Sequence, residues 1–359
     1  GQHIHPSCQC HDSLGRRTSC HLDHRKKQTN EDVMQSGKTY LSAFNLRVGY
    51  VQNKIENRLF SDLNLSLRGG EMVCFMGPNG AGKSSLLRTL AGLQQPLAGE
   101  VKIHTGEASG RARQIAVVLT DRVSALNLTV EEVVTFGRYP YLGWNIRLTN
   151  EDVSIVKASI AQVHLQPLLP KRLYELSDGQ VQMVMIARAL AQDTPVILLD
   201  EPTAHLDLNN RVDIMNLLHY LSRSTGKAIL LATHELDLAL QTADQIWLTG
   251  KDRNILQGWP EDLVLNGSFD DIFRFKGFDL KSGKVLHRAH RNVSVQLLGE
   301  GSAYLWTRNA LERNGYLVTS ESEDISIAVI HDGSTVKWRI KKDDTFIEAE
   351  SIERLMNSL

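Results

Sequence analysis

The chain has 359 residues, with 40 lysines and arginines against 41 aspartates and glutamates, a net charge of −1. That length supports a large core and more than one domain, and the charge balance removes the electrostatic case for nucleic acid as a partner. No apolar run is long enough to span a bilayer. Of the four cysteines, Cys8, Cys10 and Cys20 crowd the N-terminus and Cys74 lies alone in an apolar run, so the body has no disulfide framework, which fits the cytosol.

Residues 1–35 are polar and His-rich, with no hydrophobic period, and do not read as a signal peptide. They contain CQCH (8–11) and CHLDH (20–24). Thiolates and imidazoles are zinc ligands, but this spacing fits no common finger. The expectation is a disordered tail rather than a metal site. No methionine precedes Met34, so the tail reads as processed or as an upstream extension.

From about residue 40 to 275 buried strands alternate with helices. EMVCFMG (71–77), IAVVLT (115–120), PVILLDE (195–201), AILLAT (228–233) and QIWLT (245–249) are apolar without alternation, as strands covered on both faces are. SSLLRTLAGL (84–93) and RVDIMNLLHYLSR (211–223) have helical spacing. The pattern predicts an α/β domain with a mainly parallel core sheet. The stretch from about 123 to 190 is richer in helix and reads as an inserted helical subdomain.

GPNGAGKSS (77–85) follows the first buried strand and opens a helix, the context that G-x-x-x-x-G-K-[ST] requires. Gly77, Gly80 and Gly82 let the backbone wrap a phosphate without a Cβ clash. Successive N–H groups then form an anion nest at a helix N-terminus. Lys83 supplies a point charge for the β- and γ-phosphates, and Ser84 offers a hydroxyl to Mg²⁺.

LSDGQ (176–180) starts a helix: Ser177 is an N-cap and Gln180, three residues on, completes a capping box. That pattern explains the helix but does not say whether its N-terminus faces an anion. PVILLDEPTAHLD (195–207) carries two adjacent carboxylates to the C-terminal end of a strand, where ligands bind in open α/β sheets. Asp200 can hold Mg²⁺, through water, and Glu201 is placed to activate a water. ATHE (232–235) ends another strand with His234, within reach of a γ-phosphate.

From about 276 the style changes. HRNVSVQLL (290–298) alternates, AYLWTRNALERNG (303–315) reads as a helix with a Gly cap, and YLVTS, ISIAVI and VKWRI read as strands, with Asp332-Gly333 a hairpin signal. GEGSAY (299–304) is only a weak hint of an anion site, and HRAHR (287–291) reads as a solvated basic run. This is a small α+β appendage, expected to serve packing or to support a dimer rather than to sense a ligand.

These residues resemble the ABC-ATPase family. Walker A (77–85), LSDGQ (176–180), Walker B (196–201), the HLD of a D-loop (205–207) and the switch His234 occur in the family's order. The resemblance covers about residues 40–275. It implies a P-loop ABC ATPase domain over 36–275, with the helical subdomain at about 123–190, between the 1–35 tail and the 276–359 appendage.

It also implies a homodimer in which two chains face head to tail around two ATP molecules, each signature helix pointing at the other chain's γ-phosphate. ATP would then be held by Tyr50, stacked on adenine, by Gly77, Pro78, Asn79, Gly80, Ala81, Gly82, Lys83, Ser84 and Ser85, and by Ser177, Gly179, Gln180 and Asp207. Mg²⁺ would be held by Ser84 and Asp200, and catalysis would rest on Glu201, His234 and Lys83.

Two departures stand out. Asp178 replaces the first glycine of LSGGQ, and its carboxylate would repel a γ-phosphate unless it points away. Thr120 stands where the Q-loop glutamine is expected; as a residue of the ATP site it would still offer an oxygen to Mg²⁺ or water, with a shorter reach.

NLTVEEVVTFGRYPYLGW (127–144) resembles the GRxPY/HxG stretch of ATPases that serve importers of iron–siderophore, haem and cobalamin complexes. That resemblance implies partner permeases in the membrane, a substrate-binding protein outside, and a peripheral place on the cytoplasmic face. The rival readings are a soluble ABC ATPase of DNA repair or translation, an exporter ATPase, and a non-hydrolysing regulator. A single Walker A with no long heptad run, the 127–144 stretch and an intact Glu201 count against them in turn.

Overall fold

The computed structural model describes residues 37–359 except 105–109, 120–126, 145, 282, 286, 288, 322–324, 333–334 and 343–344. The His/Cys tail and Thr120 therefore lie outside the described residues. The chain divides into two compact units, Gly1–Phe273 and Arg274–Leu359.

The first unit opens with an antiparallel ribbon, β1 (Thr39–Gln52) and β2 (Ile55–Arg68), then β3 (Met72–Met76), helix α1 (Lys83–Leu90), β4 (Ala98–Ile103) and β5 (Ile115–Val118). Three helices follow: α2 (Val130–Thr135), α3 (Asn150–Gln162) and α4 (Asp178–Ala191). Then come β6 (Val196–Asp200), α5 (Leu208–Thr225), β7 (Ala228–Ala232), α6 (Leu236–Thr242), β8 (Gln245–Thr249), β9 (Ile255–Gly258), α7 (Pro260–Leu265) and α8 (Ser268–Phe273).

Two sheets result. The core sheet has the order β5-β6-β7-β3-β8-β9, parallel throughout except for the antiparallel β8–β9 pair. A second sheet, β2-β1-β4, is antiparallel. The apolar strands contain no clue to this division, because their side chains are buried on both faces. On one face Val73, Phe75, Val196, Leu198, Leu230 and Trp247 join one cluster with Leu41, Leu46 and Val48 of β1, Phe60 and Leu65 of β2, and Leu86, Leu87 and Leu90 of α1. Phe75 stands between Phe60 and Trp247, with ring centroids 6.2 and 6.4 Å away. Residues of opposite parity, among them Cys74, Leu199 and Leu231, are equally buried. Burial pushes the Cys74 thiol far up, so it behaves as a small apolar group.

The second unit holds a short hairpin, β10 (Phe278–Asp279) with β11 (Lys284–Val285), and then β12 (Ser294–Leu298), α9 (Gly301–Arg313), β13 (Leu317–Thr319), β14 (Ile325–Asp332), β15 (Thr335–Lys342), β16 (Thr345–Ala349) and α10 (Ile352–Asn357). Its main sheet runs β13-β12-β14-β15-β16. β14 and β15 pair from Ile325↔Lys342 to Asp332↔Thr335, with Gly333 of the turn outside the described residues. The core joins Val295, Leu297, Ile327, Trp338 and Ile340 to Leu311 of α9 and Leu355 of α10. Trp338 donates its indole N–H to Thr307 Oγ1 at 2.7 Å, which satisfies the buried polar edge of the ring.

Candidate functional site

The Gly-rich turn joins the C-terminal end of β3 to α1. Gly77 leaves the sheet so close to β8 that an added Cβ would lie 2.6 Å from the Thr249 carbonyl oxygen. Gly82, the N-cap of α1, has φ +99°, which L side chains rarely adopt, and its Cβ would press on Phe60 at 3.0 Å. At these two positions a side chain would clash, so the turn requires glycine.

Lys83 is 95 % buried at the start of α1, being 5 % exposed. Its ammonium donates to the carbonyls of Gly77 at 2.9 Å and Pro78 at 3.3 Å. Burial pulls its pKa below the usual lysine value, and Glu201 and Asp200 act in the opposite sense. The loop thus holds a desolvated cation at the N-terminus of α1, where the helix field favours an anion.

Ser84, next in the helix, donates to Asp200 Oδ1 at 3.0 Å. Asp200 is the last residue of β6 and is buried. Glu201 follows in the left-handed region, φ +50°, its N–H bonded to the Ala232 carbonyl at 3.0 Å. That turn swings its carboxylate out of the sheet, where Oε1 lies 2.5 Å from His234 Nε2. His234 comes from the loop after β7, the neighbour of β6 in the sheet.

A cleft of about 530 Å³ gathers these groups, lined by Tyr50, Leu59, Asn79, Gly80, Gly82, Lys83, Ser84, Ser85, Glu201 and His234. Tyr50 is half-exposed on β1, and its phenol oxygen accepts from Asn57 Nδ2 at 2.8 Å. Leu59 of β2 joins the lining without any signal in the sequence. Ser177, Gly179, Gln180 and Asp207 are not among the residues lining this cleft.

The signature segment is organised for itself. Ser177 Oγ accepts from the Gln180 N–H at 3.3 Å and Gln180 Oε1 accepts from the Ser177 N–H at 3.1 Å, so the capping box is formed. Ser177 and Asp178 are exposed, whereas Gly179 is buried. A Cβ on Gly179 would stand 2.9 Å from Cγ of Asn210. Asn210 is itself held by Asp207, the N-cap of α5, whose carboxylate accepts from the Asn210 N–H at 2.8 Å and side-chain amide at 3.0 Å. Asp207 therefore fixes the residue against which the signature glycine packs. Asn210 has no motif, and only the packing reveals it.

The GRYPY stretch (137–141) is a lock on the far end of α4. A Cβ on Gly137 would lie 2.4 Å from the Arg188 carbonyl oxygen. Arg138, buried, donates to Asp152 Oδ1 at 2.8 Å and to the Ala191 carbonyl at 2.9 Å, and its guanidinium lies 4.0 Å from the Tyr141 ring centroid. Arg188 in turn donates to the Val117 carbonyl of β5 at 3.2 Å, tying α4 to the strand that precedes Thr120. Beside this lock, Leu128, Thr129, Glu131, Glu132, Thr135, Phe136 and Tyr139 line an open groove of about 560 Å³.

The fold and this geometry can be set beside known proteins. Residues 60–204 match the ABC transporter family, and residues 292–359 match the iron ABC transporter C-terminal domain. An uncharacterised ABC transporter ATP-binding protein of Methanocaldococcus jannaschii is 37 % identical over 69 % of this chain and 89 % of its own length. The iron(3+)-hydroxamate import ATP-binding protein of Bacillus subtilis is 32 % identical over 65 % of this chain and 87 % of its own. The dimeric structure of a bacterial ABC transporter cassette superposes with a TM-score of 0.53 at 29 % identity, covering 61 % of this chain and 98 % of that one. The appendage, read from sequence only as a small α+β unit, thus has a family of its own.

Proposed function

Because the chain belongs to the family of ABC transporter ATP-binding proteins, and is thus an ABC-type ATPase, we propose that it drives uptake of a metal chelate through partner permeases. The chelate class is a ferric siderophore, haem or cobalamin. The reading is supported by the iron(3+)-hydroxamate import relative, by the iron ABC transporter C-terminal domain and by the GRYPYLG stretch. The observation that carries it is the cleft in which Lys83, Ser84, Glu201 and His234 converge.

ATP binds there with its adenine on Tyr50 and its phosphates in the loop from Gly77 to Ser85. The buried Lys83 ammonium and the N-terminus of α1 take the charge of the β- and γ-phosphates. Ser84 Oγ and Asp200 Oδ1, 3.0 Å apart, are hard oxygen donors that suit Mg²⁺. Among the described residues no group of three or more His, Cys, Asp or Glu offers a rival metal site. Ser84 and Asp200 would hold Mg²⁺, which would supply charge neutralisation at the transferring phosphoryl group.

Glu201 takes a proton from the attacking water as its oxygen bonds to the γ-phosphorus, ADP leaves, and inorganic phosphate forms. His234 holds the Glu201 carboxylate and faces the same phosphate. Each site is completed by Ser177 and Gly179 of a second chain, so the working unit is a head-to-tail homodimer. The groove from Leu128 to Tyr139 receives a helical segment of the permease, and the chain works at the cytoplasmic face of the membrane. A substrate-binding protein outside hands over the chelate.

The test is Mg²⁺-dependent ATP turnover by the purified chain, together with accumulation of radiolabelled ferric chelates and cobalamin by cells with and without it. Lack of nucleotide hydrolysis would refute the site assignment. Uptake that is unchanged for every chelate in the deleted strain would refute the import reading.

A further inference from the structure

In the second unit Leu297, Ile327, Ile340 and Ile347 stand opposite one another across β12, β14, β15 and β16, forming one row. The first three are 5, 0 and 0 % exposed, but Ile347, where the row reaches the edge strand, is 38 % exposed. The next rungs alternate to the other face. There Arg339 is paired with Glu348 at 3.0 Å, and Lys341 stands opposite Phe346, which is 66 % exposed. The sheet order ends at β16, whose outer backbone edge has no strand beside it among the described residues. The strand reads Thr-Phe-Ile-Glu-Ala, without the proline, lysine or bulge that usually blunts an exposed edge.

We propose that β16 is a self-pairing edge. A second copy of this chain adds its own β16 antiparallel, joining two five-stranded sheets into one. This goes beyond the nucleotide sandwich and does not depend on it.

Symmetry selects the register. A two-fold axis perpendicular to the sheet keeps each side chain on its own face, so only residues of equal parity can stand opposite one another. Three centres are then available within the strand. Centring on Glu348 sets two carboxylates against each other, which is repulsive. Centring on Phe346 leaves Glu348 opposite a position before Thr345, outside the strand. Centring on Ile347 pairs all five residues: Ile347 with itself, Phe346 with Glu348 of the second copy, and Thr345 with Ala349 of the second copy.

That register is also complementary in charge and polarity. The buried row becomes Ile340–Ile347–Ile347–Ile340, continuous across the axis, and covers the apolar end now open to water. On the other face each Glu348 lies between its own Arg339 and, across Phe346 of the second copy, that copy's Lys341. Pairing of this kind holds two chains together whether or not nucleotide is bound and raises their effective concentration for closing on ATP.

Cysteine cross-linking in the full chain tests it, with Cys8, Cys10 and Cys20 changed to serine and no nucleotide present. Directly opposed residues have Cα atoms about 4.5–5.5 Å apart, within disulfide reach, and a two-residue offset takes them beyond about 7 Å. Ile347→Cys should therefore cross-link to itself on mild oxidation. Phe346→Cys and Glu348→Cys should each fail alone and cross-link when mixed. Sedimentation without nucleotide should show a dimer that Ile347→Lys reduces to a monomer. Meanwhile Glu201→Gln/Ile347→Lys still dimerises on adding ATP if the sandwich proposal holds. A monomeric wild type without nucleotide, no cross-link at Ile347→Cys, or equal yields from the three single cysteines would overturn the edge pairing, whatever the fate of the ATP-dependent dimer.

Discussion

His234 Nε2 stands 2.5 Å from Glu201 Oε1 in the cleft beside the Gly-rich loop, although the two residues follow different strands. The contact sets the direction of a carboxylate that emerges from a left-handed backbone position, φ +50°. Glu201→Gln keeps the shape and a hydrogen-bonding oxygen but cannot accept a proton. Turnover should fall by about 10²–10⁴-fold while ATP still binds, and the variant should accumulate as an ATP-bound dimer in gel filtration. Wild-type turnover would remove Glu201 from the role of base.

Lys83→Ala should abolish tight ATP binding, and Lys83→Arg should not rescue it. The ammonium fits between the Gly77 and Pro78 carbonyls at 2.9 and 3.3 Å, where a planar guanidinium lacks the right shape. Binding should also be linked to protons. Burial holds the Lys83 pKa below its ordinary 10.5, and phosphate charge beside it raises it again. In the interval between the two values, ATP binding takes up a proton, so affinity falls as pH rises toward 10.5. Calorimetry in two buffers of different ionisation enthalpy measures that uptake, and zero uptake throughout the alkaline range would contradict the linkage.

Gly179→Asp should be far more harmful than Asp178→Gly. Position 178 is exposed, and removing its charge from the neighbourhood of a phosphate should leave activity the same or higher. At Gly179 a side chain meets Asn210 within its own chain, with Cβ to Cγ 2.9 Å, and in the proposed head-to-tail dimer it would add a second charge facing the partner's nucleotide. Mixing Lys83→Ala with Gly179→Asp chains puts both defects in one composite site and leaves the other intact. Activity should return in proportion to heterodimer formed, if one intact site suffices for turnover. A Gly179→Asp chain as active as wild type would reduce LSDGQ to a capped helix start, and no recovery in verified heterodimers of two inactive chains would refute the action of the signature across the dimer.

Arg138 and Asp152 form a buried ion pair under the helical region. Arg138→Ala should cost about 3–5 kcal/mol, since it strands a carboxylate away from water, and thermal unfolding measures it. The Thr149 hydroxyl and backbone N–H, with Arg138, hold the Asp152 pKa below its ordinary 3.8. A depressed carboxylate contributes stability that is full above the unfolded value and is lost as pH falls through the lower folded value. Acidification below about pH 4 should therefore narrow the stability gap between wild type and Asp152→Asn. A gap independent of pH would show that Asp152 is not ionised in the fold.

The order and spacing of motifs were legible in the sequence because each is local. A strand of apolar residues, a glycine where φ is positive and a helix N-cap are decided within a few neighbours. Hence the phosphate loop at 77–85, the Ser177–Gln180 capping box and the carboxylates after β6 could be read from the chain itself. What only the tertiary structure decided is which of these meet. Tyr50 and Leu59 reach the cleft through an antiparallel sheet whose pairing no periodicity announces. Gly179 turned out to pack on Asn210, some thirty residues away, and Arg138 to join three segments through Asp152, Ala191 and Tyr141. Such contacts arise from the closing of long loops around a shared core, and uniformly apolar strands carry no local mark of which neighbour they will choose.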